Sequence, residues 1–516
     1  MPRPATAPCA PVAQETGREG KTLAKANLSV ASRRGAAEMA SATGEIAATR
    51  LGQYSWVLFE FARTPYVGLV YIFVFAPYFA STVVGDPVRG QEIWSLANTI
   101  VGVCIAVVAP FLGAISDRLG RRKPWILAFV LIMAPACWAL WYAMPGAVGG
   151  LSILTITVLV IVLAVCFEFA ALFHNAMLPS IAAHREIGWL SGLGLGIGNV
   201  GNLLAMVVIL FGAALPASGD TLGGLLPDAP LFGLDPATYE HTRIAGPVSG
   251  VWLLLFTIPL MLWTPDRSST NVSPNRAVRE GLDQLWRTIQ QARRISNVGF
   301  YLLARMLYND GMIAILAYSG IYAVGTFGWN LTAIILFSVS LSPFSIGGGF
   351  IGGWLDRKFG AKRAIQIAVG STCVALLGAV SITTDRIFFV IPYDAATAAP
   401  IWTFPYFQML PEIVYIAMYM VLAVTVTAAF ANSRTMMARI APPGMMNQFF
   451  GLFAFSGTAT AFAGHGIVTF FTRLSGSQQI GFGSVLLLLT AGFVAMYWTR
   501  EERAADISRA PDTRPR

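Results

Sequence analysis

Twelve apolar runs, each long enough to cross a bilayer as a helix, occupy most of the sequence after residue 50. A helix rises about 1.5 Å per residue, so roughly 20 apolar residues span the hydrocarbon core. The predicted spans are 54–80, 94–115, 124–143, 151–178, 192–214, 248–264, 299–325, 331–354, 364–383, 411–430, 449–471 and 479–498. Because only 12% of the 516 residues are charged, lipid must cover much of the surface. We therefore predict an all-α integral membrane protein.

Lys and Arg residues alternate between the two sides of these spans. Of 35 such residues, 29 fall on the side that holds the amino terminus, 4 fall in the loops of the other side, and 2 lie within spans. Positively charged short loops are retained in the cytoplasm. We therefore expect both termini to be cytoplasmic and the cell (inner) membrane to be the location. The net charge of +9 is scattered in short clusters, which argues against a nucleic-acid partner.

One loop pattern occurs twice, after the second span and again after the eighth. The first copy contains Gly113, Asp117, Arg118, Arg121 and Arg122, and the second contains Asp356 and Arg357. Two interpretations stay open. The charges act in topology alone, or the loops act in gating, where the Asp holds the amino end of a neighbouring helix or pairs with an Arg.

The repeat divides the chain into two halves, an arrangement that is common in secondary transporters. We predict five segments in all: a disordered cytoplasmic tail, a six-helix half, a cytoplasmic linker, a second six-helix half and a second cytoplasmic tail. Their bounds are 1–50, 51–265, 266–298, 299–498 and 499–516.

The two loops resemble the signature of the major facilitator superfamily, which occurs between spans 2 and 3 with a second copy between spans 8 and 9. Further stretches are similar to the vacuole-effluxer-like branch of that superfamily. They are residues 59–66 (FEFARTPY), 174–179 (HNAMLP), 190–194 (LSGLG), 307–311 (LYNDG), 432–435 (NSRT) and 449–453 (FFGLF). The resemblance implies twelve helices in two pseudo-symmetric halves that transport a solute. Because the branch includes fungal vacuolar amino-acid effluxers, amino acids are the first cargo expected.

Ionisable residues inside spans are costly in lipid, so each is a candidate for function. Glu60 and Arg63 are three residues apart and share one face of span 1. Glu168, in span 4, is expected at the same depth. One Arg against two carboxylates would leave a carboxylate able to bind a proton or a substrate cation. A purely structural ion-pair network is the alternative.

The second half carries a corresponding set. Arg305, Asn309 and Asp310 lie in span 7, and Arg305 and Asp310 are too far round the helix to pair with each other. Each therefore needs a partner on another span or in a wet cavity. His465 lies in span 11, where a proton relay and a neutral, hydrogen-bonded imidazole are both open.

These patterns predict a secondary active transporter of a small polar solute, coupled to protons or another ion, or facilitated. A sugar or organic-ion transporter of the same superfamily and a non-transporting membrane sensor are the alternatives. We expect membrane lipid and the solute as partners, a monomer, no enzymatic activity, no cofactor and no metal centre. The absence of a P-loop, HExxH or GxSxG pattern and the dispersion of four His residues underlie the last three expectations.

Overall fold

A computed structural model gives the fold of the chain. It describes residues 47–119, 121–182, 187–217, 219, 229–266, 290, 296–394, 397–440, 453, 456–457 and 460–501. Most of each predicted tail and most of the predicted linker lie outside these residues.

The first half contains six long helices in the order predicted. Their bounds are α1 Arg50–Tyr66, α2 Pro87–Leu119, α3 Lys123–Ala139, α4 Ile153–Ile181, α5 Ile187–Ile209 and α6 Ala245–Trp263. α1 continues through π-helical turns at Val67–Ile72 and Phe79–Val83, with a short helix at Phe75–Tyr78 between them, so the first span runs from residue 50 to 83. α5 continues through a π-helical turn at Leu210–Ala214.

The second half repeats this order. Its helices are α7 Ser296–Phe327, α8 Leu331–Phe359, α9 Ala361–Val380, α10 Leu410–Ile440, α11 Ala461–Ser475 and α12 Val485–Ala495, the last preceded by a short helix at Gln478–Gly483. A small antiparallel hairpin, β1 Arg386–Ile387 paired with β2 Ile391–Pro392, lies in the loop between α9 and α10. That hairpin was not predicted.

Eleven helices in the described part of the chain are long and apolar enough to cross a membrane. The twelfth predicted span, 449–471, is described mainly through α11, which has 15 residues. The two-half, twelve-helix layout predicted from the sequence agrees with this architecture.

Consecutive spans run antiparallel, so the starts of α1 and α7 and the end of α12 lie at one end of the bundle. We call it the terminal end, and the opposite end the distal end. At the terminal end, the start of α7 contacts the chain that follows α12. The side chain of Asn297 accepts a hydrogen bond there from the backbone N–H of Arg500 over 2.6 Å.

The halves contact each other through polar side chains of α2 and α11 near the distal end. Gln91 donates to Thr472 over 2.9 Å, and Thr469 donates to Ser95 over 2.8 Å. Gln478 adds a bond to the backbone oxygen of Pro87 over 3.3 Å. All hydrogen bonds described between the halves lie in the distal part of the bundle. The described contacts therefore close the bundle at the distal end.

Candidate functional site

The first half holds a buried ion pair on one face of α1. Arg63 Nη2 lies 2.8 Å from Glu60 Oε2, and only 7% of Glu60 is exposed. The guanidinium of Arg63 also lies over the ring of Phe167 in α4, 5.0 Å from its centre. The predicted neighbours on α1 are thus in contact, and they face α4.

His174 of α4 completes this cluster. Its Nδ1 lies 3.3 Å from Glu60 Oε1, and its Nε2 lies 2.9 Å from the backbone oxygen of Trp56. The Trp56 ring stacks on the imidazole with 4.3 Å between ring centres and 11° between planes. Trp56 also donates its indole N–H to the His174 backbone oxygen over 2.9 Å. These reciprocal bonds fix α1 against α4.

Glu168 precedes His174 on the same helix, further from the terminal end. It interacts electrostatically with Arg63 and with Tyr71, the latter in the π-helical turn that continues α1. The structure therefore brings Glu168 near Arg63, as expected from their common depth, while the ion pair of Arg63 is formed with Glu60.

In the second half, Arg305 reaches across to the segment that precedes α11. Its Nη1 donates to the backbone oxygen of Phe453 over 2.6 Å and to the hydroxyl of Ser456 over 2.5 Å. The guanidinium carbon lies 3.6 Å from the centre of the Phe453 ring. Asn309, one turn further along α7, donates to the backbone oxygen of Gly457 over 3.4 Å. The predicted need of Arg305 for a partner on another span is met here.

Asp310 contrasts with Arg305. It is 2% exposed, and neither carboxylate oxygen has a hydrogen bond of ordinary geometry among the residues that the structure describes. Its polar interactions there are with the buried hydroxyl of Thr460 and, more weakly, with the guanidinium of Arg305. A carboxylate in this state is chemically suited to hold a proton or the cationic group of a solute.

His465 of α11 lies between two tyrosines that belong to different halves. Its Nδ1 is 2.7 Å from the hydroxyl of Tyr318 in α7, and its Nε2 is 3.5 Å from the hydroxyl of Tyr71. His465 thus links a tyrosine of the first half to a tyrosine of the second half. Only 5% of His465 is exposed.

The first of the repeated loops is described in part. The side chains of Asp117 and Arg118 lie outside what the structure describes, as do the surroundings of Gly113. Arg121 is exposed, whereas Arg122 is buried and donates a hydrogen bond to the backbone oxygen of Ala176.

The second repeated loop forms an ion-pair network at the terminal end. Arg439, at the end of α10, lies 2.8 Å from Asp356 Oδ1 and 2.5 Å from Glu501 Oε1. Arg357 is exposed. Pairing of the loop Asp with an Arg is one of the two gating arrangements considered from the sequence.

The amino ends of α3 and α9 are held in the same way in both halves. Asp266 accepts the backbone N–H groups of Arg122 and Lys123 over 3.0–3.1 Å. Glu501 accepts those of Ala361 and Lys362 over the same range. Carboxylates suit helix amino termini because four N–H groups there lack helical partners and the helix dipole is positive.

A lysine near the start of each of these helices makes an equivalent hydrogen bond in the two halves. Lys123 donates to the backbone oxygen of Thr264 over 2.7 Å, and Lys362 donates to that of Tyr497 over 3.1 Å. Burial raises the pKa of Glu501, but hydrogen bonds from Arg439 and from the two backbone N–H groups outweigh it and hold that pKa below the ordinary value of a glutamate.

Sequence reasoning missed several residues of these arrangements. They are His174, Asp266, Arg439 and Glu501. The histidines were considered as metal ligands, whereas the depth argument that joined Glu60 to Glu168 applies equally to His174, near the terminal end of α4. Asp266 and Glu501 closely follow the sixth and twelfth spans, and that shared position was the signal that could have found them.

No group of three or more potential metal ligands occurs within the described ranges. The candidate functional groups are instead an Arg and carboxylates in α1 and α4, and an Arg and a carboxylate in α7.

Solved structures of transporters share this fold. The chain aligns with a nucleoside transporter, NupG, at a TM-score of 0.59 and 11% identity, over 86% of this chain and 98% of that one. It aligns with the inward-open xylose transporter XylE from E. coli at a TM-score of 0.56 and 13% identity, over 89% and 98% of the two chains.

Sequence relatives extend the comparison. An uncharacterized MFS-type transporter, YxiO, from Bacillus subtilis (strain 168) is 23% identical over 89% of this chain and 97% of that protein. Autophagy-related protein 22 from Coccidioides immitis (strain RS) is 25% identical over 49% of this chain, which spans 42% of that longer protein. The profile of the family described as vacuole effluxer Atg22 like matches residues 82–507. The chain therefore belongs to the vacuole effluxer Atg22-like family of major facilitator superfamily transporters.

Proposed function

We propose that this transporter carries a small zwitterionic solute, with amino acids the first class to test, and that it couples this transport to protons. An α-amino acid presents one carboxylate and one ammonium group. A site that offers a guanidinium and a carboxylate a few ångströms apart would satisfy both, since each buried charge needs an opposite partner.

The observation that carries this proposal is the buried carboxylate of Asp310, which has no hydrogen bond of ordinary geometry among the described residues and lies on the helix that carries Arg305. Burying a charged carboxylate without a partner is expensive in a membrane protein. A bound proton or a bound ammonium group would remove that cost. Arg305 and Asn309 lie on the same helix, so one solute could contact several groups of α7 at once.

The first half supplies a second set of charged groups, Glu60, Arg63 and Glu168. Tyr71 of the first half lies 3.5 Å from His465 of the second, and in our proposal the solute binds between the two sets. The closed distal end and the polar contacts between α2 and α11 support alternating access, in which those contacts break when the terminal end closes. We also propose, from the distribution of Lys and Arg, that the terminal end faces the cytoplasm.

The loop that contains Asp356 and Arg357 would then act in gating at the terminal end. Arg439 bridges that loop to Glu501 and so links α8, α10 and the residue that follows α12. Gly113, Asp117, Arg118, Arg121 and Arg122 are proposed to form the corresponding loop of the first half.

The test is uptake by proteoliposomes that contain the purified full chain, with a panel of amino acids, sugars and nucleosides, each with and without a pH gradient. We expect accumulation of at least one amino acid, stimulated by the gradient. Replacement of Asp310 by Asn should abolish accumulation against a gradient and leave exchange of solute across the membrane measurable. Asp235→Asn, in the distal loop before α6, is the matched control and should behave like the unmodified protein.

Three results would contradict the proposal in different ways. Uptake of sugars or nucleosides but no amino acid would exclude the cargo class. Uptake that is unaffected by pH would exclude proton coupling. Failure of every solute in a monodisperse, well-folded preparation would favour the non-transporting sensor.

A further inference from the structure

His174 is held by partners that fix which of its ring nitrogens carries hydrogen. Nε2 lies 2.9 Å from the backbone oxygen of Trp56, and a carbonyl oxygen can only accept a hydrogen bond. Nε2 therefore carries a hydrogen. In a neutral imidazole the other nitrogen, Nδ1, would then present a lone pair.

That lone pair would lie close to a second acceptor. Nδ1 is 3.3 Å from Glu60 Oε1, and it is buried without a hydrogen bond of ordinary geometry among the described residues. Two acceptors that face each other without a hydrogen between them repel. The arrangement is satisfied once a proton lies between the imidazole and the carboxylate.

We infer that His174 and Glu60 together form a proton-binding site, in which one proton is carried on His174 Nδ1 and is shared with Glu60 Oε1. This inference deepens the proposed function and rests on it for its role in coupling. When the proton binds, His174 becomes an imidazolium; when it leaves, it passes to water from the interior of the bundle and His174 returns to the neutral form.

The surroundings of the imidazole suit an imidazolium. The Trp56 ring stacks on it face to face, and aromatic faces attract cations. On the far side of Glu60, Arg63 donates to Glu60 Oε1 over 3.0 Å and so competes with His174 for the same oxygen. A change in the position of Arg63, for example when it binds a solute carboxylate, would alter how strongly Glu60 holds the proton.

The other charged or titratable groups near this pair are few among the described residues. α1 contributes Arg63, and α4 itself contributes Glu168. From α3, the Trp125 ring packs on Phe173 next to His174, and Arg122, which precedes that helix, donates to the Ala176 backbone oxygen. The face of α5 against Glu60 is formed by Gly194 and Gly198, and that of α2 against α4 is apolar, formed by Val101 and Ile105.

Binding of the proton changes the net charge of this cluster. With Glu168 counted as ionised, Glu60, Glu168 and Arg63 comprise two carboxylates and one guanidinium. A proton on His174 brings a second positive charge and balances the cluster, whereas its release leaves an uncompensated carboxylate. Such a carboxylate would attract a solute cation or hold the bundle in one conformation until a proton returns.

The test measures the protonation of His174 and does not need a substrate. The full chain has four histidines, so ¹⁵N-histidine labelling yields few ring signals. His174→Gln, which keeps a donor near the Nε2 position, assigns the signal. We expect both ring nitrogens of His174 to be protonated at neutral pH, and we expect Glu60→Gln to convert it to a neutral ring with hydrogen on Nε2 alone.

The matched control is Glu240→Gln, a carboxylate near the distal end that pairs with Arg243; it should leave the His174 signal unchanged. If His174→Gln does not fold, replacing His184, His241 and His465 together leaves His174 as the only histidine. A His174 ring that stays neutral from about pH 5 to pH 8, with and without Glu60, would overturn the inference.

The outcomes separate this inference from the proposed function. If His174 is an imidazolium but uptake does not depend on a pH gradient, the proton-binding site stands and its role in coupling is refuted. A neutral His174 in a protein with proton-driven uptake would refute the site and leave the coupling to Asp310 or Glu168.

Discussion

Single residues decide how closely the helices of this bundle approach each other. In α5, a Cβ placed on Gly201 would lie 2.7 Å from the backbone oxygen of Phe61 and 2.9 Å from its ring. A Cβ on Gly196, less than two turns earlier in the same helix, would meet no heavy atom within 4 Å. Gly201 is thus part of the contact between α5 and α1, whereas Gly196 is not.

We therefore expect Gly201→Ala and Gly196→Ala to have opposite effects. Gly201→Ala should destabilise the protein by about 1–3 kcal/mol, because α1 must shift to admit the methyl group. Gly196→Ala should leave stability unchanged or raise it by up to about 1 kcal/mol, because alanine favours the helix. Thermal unfolding in detergent measures both, and equal melting temperatures would contradict the packing described.

Part of the residue-scale chemistry was accessible from the sequence. Glu60 and Arg63 were expected on one face of a helix, since spacing along a helix fixes direction, and they form an ion pair. His174 was missed because its importance comes from a backbone oxygen and a carboxylate on another helix. No pattern along the chain records those distances.

At the scale of elements, the amino ends of α3 and α9 at the terminal end are each capped by a carboxylate from a distant part of the chain. The pattern of the repeated loops did not predict these caps. α9 begins directly after Gly360, whose φ of 84° is favourable only for glycine, and a Cβ there would lie 2.7 Å from Glu501 Oε2. The glycine thus lets a carboxylate from beyond α12 reach the amino end of α9. Asp266 holds the amino end of α3 in the same manner.

Replacing Glu501 by Gln should weaken this contact. Hydrogen bonds from Arg439 and from the backbone hold the pKa of Glu501 below its ordinary value, even though burial opposes this. The carboxylate therefore stabilises the folded state above the ordinary glutamate range, and the contribution is lost as pH falls through the lowered pKa. We expect Glu501→Gln to cost roughly 0.5–1 kcal/mol at neutral pH, discounted for partial exposure.

The measurement is thermal unfolding in detergent at several pH values. The difference between the unmodified protein and Glu501→Gln should shrink on acidification. Asp235→Asn is the control, since that side chain is exposed in the distal loop before α6 and its replacement should change stability little. A difference that grows toward low pH would contradict a lowered pKa at Glu501.

The existence of the helices followed from the sequence more directly than their connections did. An apolar run of about 20 residues is a local property, and every predicted span overlaps a described helix, apart from the part of 449–471 outside the described residues. The bounds agree less well, since α2 begins at Pro87, before the predicted residue 94, and α10 ends at Ile440, after the predicted residue 430. The caps by Asp266 and Glu501 depend on where separate helices end in space, and the β1–β2 hairpin has too few residues to leave a pattern.

At the scale of the whole molecule, transport by rocking requires the distal contacts between the halves to break. The Ser95 and Thr469 oxygens lie 2.8 Å apart, one on α2 and one on α11. Replacing both by Cys should place two sulfur atoms within reach of a disulfide. Oxidation should then arrest uptake, and a reductant should restore it.

The two single-cysteine variants are the controls, because the native cysteines are present in them as well. Neither should lose activity on oxidation. Unchanged uptake in a double variant whose disulfide is verified by mass spectrometry would mean that these contacts do not open during transport.

The composition of those distal contacts determines how the closure of the distal end responds to ionic strength. Buried amides and hydroxyls of Gln91, Thr472 and Gln478 carry most of the contact, whereas the ion pair of Glu92 with Arg473 has an arginine side chain that is 66% exposed. Salt at roughly 0.1–0.15 M weakens the interaction between exposed charges over a decay length of about 8–10 Å and leaves buried neutral hydrogen bonds almost unaffected. The distal closure should therefore persist in brine as in dilute buffer, and a dependence of transport on salt would have to originate elsewhere in the molecule.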